Sequence, residues 1–405
     1  MNHFSELPLN PTLQGNLARH GFQVPTPVQA QAIPPALAGR DVVATAQTGT
    51  GKTLAFLLPI LESLTARPDP AGKKPHAVQA LVLSPTRELA IQIEETFARI
   101  AHGTAIRAAV VVGGLNENTQ IQALRRGAQV VIATPGRLQD FLDRKLVSLA
   151  KVRVAVLDEA DRMLDMGFLP AIREILDTTP AARQTLLFSA TIEKSVAGLV
   201  NSYVSNPVRV AIGEISRPVD QVDLYLYEVE QTGKLALLTR MIADEPGTFL
   251  VFARTKHGAD RLALRLKLAG ISAACIHGDR TQSQRNKALA GFKDGAYRVL
   301  VATDVAARGI HVEAIGHVVN YDLPQAPEDF IHRVGRTGRA GARGVAWTFA
   351  TPAERGEIRR IQQELGVRLT PRGEAAEAAA KVIMMPRPVR RSVHSFSPRR
   401  RRFGN

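Results

Sequence analysis

The chain has 405 residues, of which 45% are hydrophobic and 22% charged, with a net charge of +15 and a single cysteine. This length accommodates two domains and a tail, and the composition is that of a globular protein. One cysteine excludes an internal disulfide framework and a cysteine-rich metal site. No apolar run approaches the roughly 18 residues of a membrane span, and the first residues lack the pattern of a signal peptide. We therefore expect a cytoplasmic protein with no membrane partner, and the positive charge favours a polyanion, with nucleic acid the default.

A phosphate-binding loop is predicted between an apolar run that ends at Ala44 and a helical segment that starts near Leu54. The loop matches G-x-x-x-x-G-K-[ST] and comprises Ala46, Gln47, Thr48, Gly49, Thr50, Gly51, Lys52 and Thr53. Its backbone N–H groups and the following helix N-terminus are suited to a polyphosphate. Lys52 would contact the β- and γ-phosphates, and the Thr53 hydroxyl would bind Mg²⁺.

A cluster of carboxylates follows a second apolar strand, at Asp158-Glu159-Ala160-Asp161. An acidic residue at the end of a buried strand can hold the metal ion beside Thr53, and we assign this role to Asp158. A neighbouring carboxylate can orient and deprotonate the attacking water, and we assign this role to Glu159.

Apolar strands alternate with helical patterns in both halves of the chain, which predicts an α/β fold with two doubly wound parallel sheets in tandem. The predicted strands are 41–44, 80–83, 129–132, 152–157, 185–188, 222–229, 248–252, 272–276, 297–301, 317–320 and 344–349. Ligands of such sheets bind at the carboxyl ends of the strands, where the polar motifs of this chain recur.

The predicted organisation is a first domain at 1–207, a linker at 208–220, a second domain at 221–370 and a tail at 371–405. The tail carries nine Arg and Lys residues against two Glu, a net charge of +7. We expect it to be disordered and to bind nucleic-acid phosphates without sequence preference.

The phosphate loop and Asp-Glu-Ala-Asp together resemble the DEAD-box family of ATP-dependent RNA helicases, whose domains are RecA-like. The likeness extends over roughly Phe4 to Val367, and it suggests the bacterial RhlE-like group. It implies an ATP site in which the Q motif at 21–29 recognises adenine. There Gln29 would bond the adenine edge, while Phe22 belongs to the motif and Phe4 matches the aromatic residue that stacks on the base.

The remaining family motifs are also present and in family order. The resemblance implies that loops of both domains bind the RNA backbone, through Pro85, Thr86, Arg87, Gly114, Thr134, Pro135, Arg137, Arg254, Thr255, His277, Gly278 and Thr303. It also implies that Asp161, Ser189 and Thr191 couple the ATP state to strand separation. In the second domain Asp304 and His332 would serve the nucleotide site, and Arg336 and Arg339 would reach the γ-phosphate as arginine fingers.

One position departs from the family pattern, because His311 stands where motif V usually has an Asp that bonds the ATP ribose. The histidine either bonds the hydroxyl itself or is merely tolerated at the cleft edge. The resemblance implies a monomeric, RNA-stimulated ATPase that unwinds short RNA duplexes or remodels RNA–protein complexes by domain closure. Ribosomal and RNA-decay assemblies are candidate partners of the tail. Two alternatives stay open: a DNA helicase of the same superfamily, and an RNA-binding scaffold whose ATPase is vestigial.

Overall fold

The structure is a computed structural model, and it describes residues 1–46, 50–66, 77–192, 194–212, 222–307, 315–338 and 343–373. Within these ranges the chain forms two seven-stranded sheets in which every strand pair is parallel. This arrangement confirms the predicted fold class. None of the helices in the described ranges is both long and apolar enough to cross a membrane.

The first sheet has the order β3-β4-β2-β5-β6-β1-β7. Its domain begins with a short 3-10 helix at Phe4–Glu6. The elements that follow are α1 (Pro11–Arg19), α2 (Pro27–Leu37), β1 (Val42–Thr45), α3 (Lys52–Ala66), β2 (Ala80–Leu83), α4 (Arg87–Ile100), β3 (Ala108–Val111), α5 (Glu117–Arg125), β4 (Val130–Ala133), α6 (Pro135–Asp143), β5 (Val154–Leu157), α7 (Ala160–Asp165), α8 (Leu169–Asp177), β6 (Gln184–Ser189), α9 (Lys194–Tyr203) and β7 (Val208–Ala211).

The second sheet has the order β10-β11-β9-β12-β13-β8-β14. Its elements are β8 (Val222–Glu228), α10 (Lys234–Asp244), β9 (Phe249–Phe252), α11 (Lys256–Leu268), β10 (Ala273–Ile276), α12 (Gln282–Lys293), β11 (Val299–Ala302), α13 (Asp304–Ala307), β12 (His317–Asn320), α14 (Pro327–Val334), β13 (Gly344–Ala350), a 3-10 helix (Pro352–Glu354), α15 (Arg355–Leu365) and β14 (Thr370–Arg372).

The two domains share one local feature, a buried strand followed by a helix with a threonine N-cap. The central strands β2 and β9 are apolar and fully buried, as expected for strands covered by helices on both faces. Each strand leads into a short loop that ends in a threonine N-cap, Thr86 for α4 and Thr255 for α11. The hydroxyl oxygens accept hydrogen bonds from Leu89 N at 3.3 Å and Gly258 N at 3.0 Å, which fixes where each helix begins.

Three edge or near-edge strands correct the predicted organisation. β3 was not predicted, and β7 takes the first four residues of the predicted linker because it pairs with β1. The first domain therefore extends to Ala211. β14 pairs with β8, so Arg372 belongs to the second domain and not to the predicted tail. Its guanidinium lies 4.4 Å from the centre of the Tyr225 ring. The rest of the predicted tail, from residue 374, lies outside the described residues.

Candidate nucleotide site and nucleic-acid loops

The phosphate loop connects β1 to α3 at the carboxyl edge of the first sheet. Ala46 N donates to Ser189 O at 2.9 Å, which fixes the loop's first residue to the end of β6. The Lys52 side chain is 6% exposed, and its Nζ donates to Ala46 O at 3.1 Å. The ammonium group is thus held across the loop, where phosphates would bind. Thr50, Gly51 and Thr53 lie beside it, whereas Gln47, Thr48 and Gly49 lie outside the described residues.

Gln29 joins the predicted adenine-binding segment to the phosphate loop. Its Nε2 donates to Gly51 O at 2.9 Å, and its Oε1 accepts from Thr26 N at 2.8 Å. A side chain at residue 51 would collide with this amide, since an added Cβ would lie 2.5 Å from Nε2. Phe4 is 2% exposed and packs in the core, and Phe22 packs partly buried against the same cluster. The contacts of these three residues with adenine stay predictions.

Asp158 provides a carboxylate that fits a metal ion. It is 2% exposed, and its Oδ1 has no hydrogen-bond partner within the described part of the chain. Burial raises the pKa of Asp158 to about 7, although the nearby charge of Lys52 opposes this. A buried carboxylate oxygen without a donor suits a hard cation such as Mg²⁺, which prefers oxygen ligands. Asp158 and Thr53 both line a cavity of about 290 Å³ beside the loop.

Glu159 is the second carboxylate of this cavity, and it remains ionised. Burial favours its protonated form, but the charges of Arg162 and Lys52 outweigh burial and hold the pKa of Glu159 well below its usual range. Its Oε2 accepts from Arg162 Nη1 at 2.7 Å, in an ion pair that is 5% exposed on each side. Glu159 has a φ of 52°, an uncommon left-handed conformation for a non-glycine residue. Arg162 was not among the predicted residues, although it directly follows the Asp-Glu-Ala-Asp sequence.

Asp161 links the carboxylate cluster to the end of β6, as the coupling role requires. Its Oδ2 accepts from Ala190 N at 3.0 Å and from Thr191 N at 3.1 Å. Its own N–H donates to Ser189 Oγ at 3.2 Å. The structure thus brings together all three residues that were predicted to couple nucleotide state to strand separation, and a shift of α7 would move the loop after β6.

Basic residues of α14 and of the turn that follows it lie near this site. The positive charge of Arg336 is among those that lower the pKa of Glu159. Burial lowers the pKa of His332, and the charge of Arg162 acts in the same direction. Arg162, His332 and Arg336 line one small cavity where the domains meet. The structure therefore places two of the predicted residues, His332 and Arg336, beside Arg162 of the first domain. Arg339 and His311 lie outside the described residues.

Asp304 is engaged by a residue that the sequence reasoning missed. Arg333 Nε and Nη2 donate to its two carboxylate oxygens at 2.5 and 2.7 Å. The guanidinium also donates to Asp322 O at 2.7 Å and stacks 4.9 Å from the Phe252 ring centre. Both oxygens of Asp304 thus link α13 to α14, and its contact with nucleotide stays a prediction. Sequence alone does not distinguish Arg333, which bonds Asp304, from the nearby Arg336, which was predicted to contact the γ-phosphate.

The predicted RNA loops of the first domain lie side by side at the strand ends. Arg87 lies against Gly114, where an added Cβ would be 2.0 Å from Nη1 and would force the arginine to move, and the φ of +76° at this position favours glycine. Arg137 lies 3.8 Å from Glu117 and stacks 5.6 Å from the Phe141 ring centre. Pro85, Thr86, Thr134 and Pro135 begin the adjacent helices α4 and α6 and are buried.

The predicted RNA residues of the second domain differ in exposure. Arg254, Thr255 and Gly278 are exposed at the carboxyl ends of β9 and β10. Thr303 is 8% and His277 4% exposed, so their side chains are turned into the domain. RNA contact by any of these residues stays a prediction.

A buried ion pair connects α4 of the first domain to α12 of the second. Arg285 Nη2 lies 2.9 Å from Glu88 Oε1, and both side chains are 7% exposed. Gln282 Nε2 donates to the same oxygen at 3.1 Å, and its Oε1 accepts from Arg87 Nη1 at 3.4 Å. The domains are thus closed on one another on the side of the predicted RNA loops. Sequence reasoning missed Glu88, Gln282 and Arg285, because no local pattern marks a contact between distant segments.

Comparison with known proteins agrees with this geometry. The sequence matches the DEAD/DEAH box helicase family over residues 26–199 and the helicase conserved C-terminal domain over residues 233–341. It is 44% identical to the DEAD-box ATP-dependent RNA helicase CshA of Geobacillus kaustophilus, over 90% of this chain and 76% of that protein. It is 43% identical to the ATP-dependent RNA helicase CshA of Limosilactobacillus reuteri, over 93% of this chain and 75% of that protein.

Two solved structures are also similar. S. cerevisiae Dbp5 bound to RNA and ADP-BeF3 has a TM-score of 0.81 and 32% identity, over 95% of this chain and 98% of that one. A DEAD box protein from Methanococcus jannaschii has a TM-score of 0.52 and 34% identity, over 92% and 99% of the two chains. The matched domains, the relatives and the site geometry agree, and the chain belongs to the DEAD-box family of ATP-dependent RNA helicases.

Proposed function

We propose that the chain separates short RNA duplexes, or displaces proteins from RNA, by closing its two domains on one RNA strand when ATP is bound. Hydrolysis and phosphate loss would then reopen the cleft. The observation that carries the proposal is the closed cleft, in which Glu88 and Arg285 pair while Arg162 and Arg336 of the two domains line one cavity. The similar Dbp5 structure was determined with RNA and ADP-BeF3 bound. It supports the proposal that a chain of this fold binds RNA and a nucleotide together.

Each part of the nucleotide site has a proposed task. Lys52 neutralises the β- and γ-phosphates, and Thr53 with Asp158 holds Mg²⁺, which supplies charge neutralisation on the phosphates when bound. Glu159 orients and accepts a proton from the attacking water, and its ionised state supports this role. Arg336 and Arg339 stabilise the charge that develops on the γ-phosphate, and His332 lines the same cavity as Arg336.

The exposed loops at the strand ends are proposed to bind the RNA backbone. Thr, Gly and Arg residues contact phosphate and sugar without reading bases, so binding would be independent of sequence. The 2′-hydroxyl would distinguish RNA from DNA. The basic residues after 373 would add a further phosphate anchor, and ribosomal or RNA-decay assemblies are proposed targets of this segment. We also propose that the protein acts as a monomer and belongs to the RhlE-like group of the family.

The test measures ATP hydrolysis and unwinding of a short RNA duplex by the full chain. Single-stranded RNA should stimulate hydrolysis, and single-stranded DNA of the same sequence should not. Lys52→Ala should abolish both activities, and Glu159→Gln should abolish hydrolysis and repeated rounds of unwinding while a single ATP-driven closure survives. Arg355→Ala, which removes an exposed ion pair with Glu228, should leave both unchanged. Equal stimulation by DNA would favour a DNA helicase. Unwinding that survives Lys52→Ala, or that proceeds equally without ATP, would instead favour a scaffold that works without ATP.

A further inference from the structure

A second cluster of functional side chains lies in the second domain, away from the nucleotide site. Cys275 lies in β10, His277 directly follows the strand, and Asp260 faces them from α11. Their potential ligand atoms all lie within 4.8 Å of one another. Cys275 Sγ and His277 Nε2 are each 3.0 Å from Asp260 Oδ1. Thiolate, imidazole and carboxylate are the three protein ligands that Zn²⁺ uses most.

One guanidinium contacts all three of these atoms. Arg280 Nη2 donates to Cys275 Sγ at 3.1 Å and to Asp260 Oδ1, and Arg280 Nε donates to His277 Nε2 at 3.2 Å. Sulfur, nitrogen and oxygen lone pairs thus converge on a single cation that is part of the chain. The side chain of Arg280 therefore stands at the position that a bound metal ion would take.

The hydrogen bonds around His277 are inconsistent with one another. Its Nε2 cannot both accept from Arg280 and donate to Asp260, because a neutral nitrogen does only one of these. The residue is 4% exposed, and its Nδ1 has no hydrogen-bond partner within the described ranges. A buried imidazole whose bonds cannot all be satisfied is costly. A metal ion on Nε2 would remove the conflict, since the lone pairs of Nε2 and Oδ1 would then share one cation.

We propose that Asp260, Cys275 and His277 form a Zn²⁺ site, which Arg280 occupies when the metal is absent. On binding, the Cys275 thiol releases its proton to solvent, and the thiolate, Nε2 and Oδ1 bond to the ion with water completing the coordination. The displaced guanidinium is not trapped, because the side chains of Arg280 and Asp260 are 33% and 40% exposed. Arg280 can therefore turn outward without leaving a buried charge.

Metal binding at this site would act on the cleft, a consequence that rests on the proposed function. The segment from His277 leads to Thr281, the N-cap of α12. The first turn of α12 carries Gln282 and Arg285, which contact Glu88 of the first domain. Removal of Arg280 from its partners would shift the start of α12 and weaken this contact. Zn²⁺ should therefore inhibit RNA-stimulated ATP hydrolysis.

The first experiment titrates the untagged full chain with Co²⁺, a spectroscopic substitute for Zn²⁺, in a reductant that does not bind metal. Because the chain has one cysteine, a thiolate-to-cobalt charge-transfer band reports Cys275 alone. We expect the band in the wild type, its displacement by Zn²⁺, and its loss in Cys275→Ser. Arg280→Ala should bind Co²⁺ about tenfold more tightly, because the competing cation is gone.

Absence of the band in both the wild type and Arg280→Ala would overturn the site. If the wild type shows the band but Arg280→Ala binds Co²⁺ no more tightly, Arg280 does not compete with the metal ion for this site. If Arg280→Ala does not fold, as judged by thermal unfolding, Arg280→Gln replaces it, and Cys275→Ser still tests the ligand set.

The second experiment measures inhibition of RNA-stimulated ATPase by Zn²⁺ in the wild type and in Cys275→Ser. Inhibition of the wild type that Cys275→Ser resists supports the effect on the cleft, and equal inhibition of both proteins refutes it. A wild type without RNA-stimulated ATPase would contradict the proposed function but not the metal site, which the cobalt spectrum tests independently.

Discussion

Breaking the ion pair between Glu88 and Arg285 should prevent closure of the cleft without damage to either domain. At 2.9 Å, two unit charges attract by about 6 kcal/mol at an effective dielectric constant of about 20. Desolvation offsets most of this gain, but removal of one buried partner leaves the other uncompensated and costs about 3–5 kcal/mol. In the open state both groups are expected to be hydrated, so the cost falls on closure alone.

The assay is the affinity for single-stranded RNA, measured by fluorescence anisotropy with and without a non-hydrolysable ATP analogue. With the analogue, Glu88→Ala should bind RNA at least about 100-fold more weakly than the wild type, as about 3 kcal/mol requires. Arg285→Ala should lose less, because Gln282 still donates to Glu88. Without nucleotide all proteins should bind alike.

A matched control and a double variant decide whether the pair itself is responsible. Arg355→Ala removes an arginine from an exposed ion pair with Glu228 inside the second domain, and it should change RNA affinity by less than about threefold. The double variant should lose less than the sum of the single losses, by about 0.5–3 kcal/mol. Losses below threefold in both single variants, or strict additivity, would refute the role of the pair in closure.

Three further predictions concern single side chains. Lys52→Ala should reduce RNA-stimulated ATP hydrolysis at least about 100-fold, as a phosphate-release assay would measure, because the buried ammonium held across the phosphate loop is lost. Asp161→Asn should reduce duplex unwinding more than ATP hydrolysis, since a neutral amide oxygen accepts more weakly than a carboxylate from Ala190 N and Thr191 N. An unchanged ratio of the two rates would contradict the coupling role. Arg333→Ala should destabilise the second domain by about 3–5 kcal/mol in urea unfolding, and Arg333→Lys should recover little, because lysine cannot bond Asp304 twice.

The strands and the loops at their ends could be predicted from sequence because their signals are local. A buried parallel strand is a continuous apolar run, and β2 at Ala80–Leu83 and β12 at His317–Asn320 were predicted at their observed bounds. The phosphate loop follows directly from β1. Edge strands lack this signal, since they are short and only half buried. The alternating burial of β7 at Val208–Ala211 therefore resembled a linker.

The contacts between the domains could not be predicted from sequence in the same way. Glu88 and Gln282 are 194 positions apart, and each lies in an ordinary first turn of a helix. Their pairing depends on how the two sheets are placed, which no local pattern encodes. The partner of Arg333 could not be predicted either, although it lies nearer in the sequence. A sequence with four arginines between residues 333 and 343 does not indicate which one is buried against Asp304.

Binding of Mg²⁺ should depend on pH through Asp158. Burial raises the pKa of this carboxyl from its usual 3.8 to about 7, so below pH 7 the group is protonated in the metal-free protein. A cation must displace that proton, and apparent Mg²⁺ affinity should therefore fall by up to about tenfold for each pH unit below 7 and level off above it. The proton also contributes to stability. Because the folded pKa is the higher one, that contribution is complete below pH 3.8 and is lost as the pH rises through 7.

The measurement is Mg²⁺-dependent binding of a fluorescent ATP analogue between pH 5.5 and 8.5. The ATP phosphates also titrate in this range, so Asp158→Asn provides the reference: it should bind Mg²⁺ weakly and show only the pH dependence of the nucleotide. Metal-free wild type should lose unfolding free energy relative to Asp158→Asn as the pH rises from 6 to 8, and saturating Mg²⁺ should restore it. Equal pH profiles for the two proteins would show that Asp158 is ionised throughout, which would contradict burial as the dominant influence on its charge.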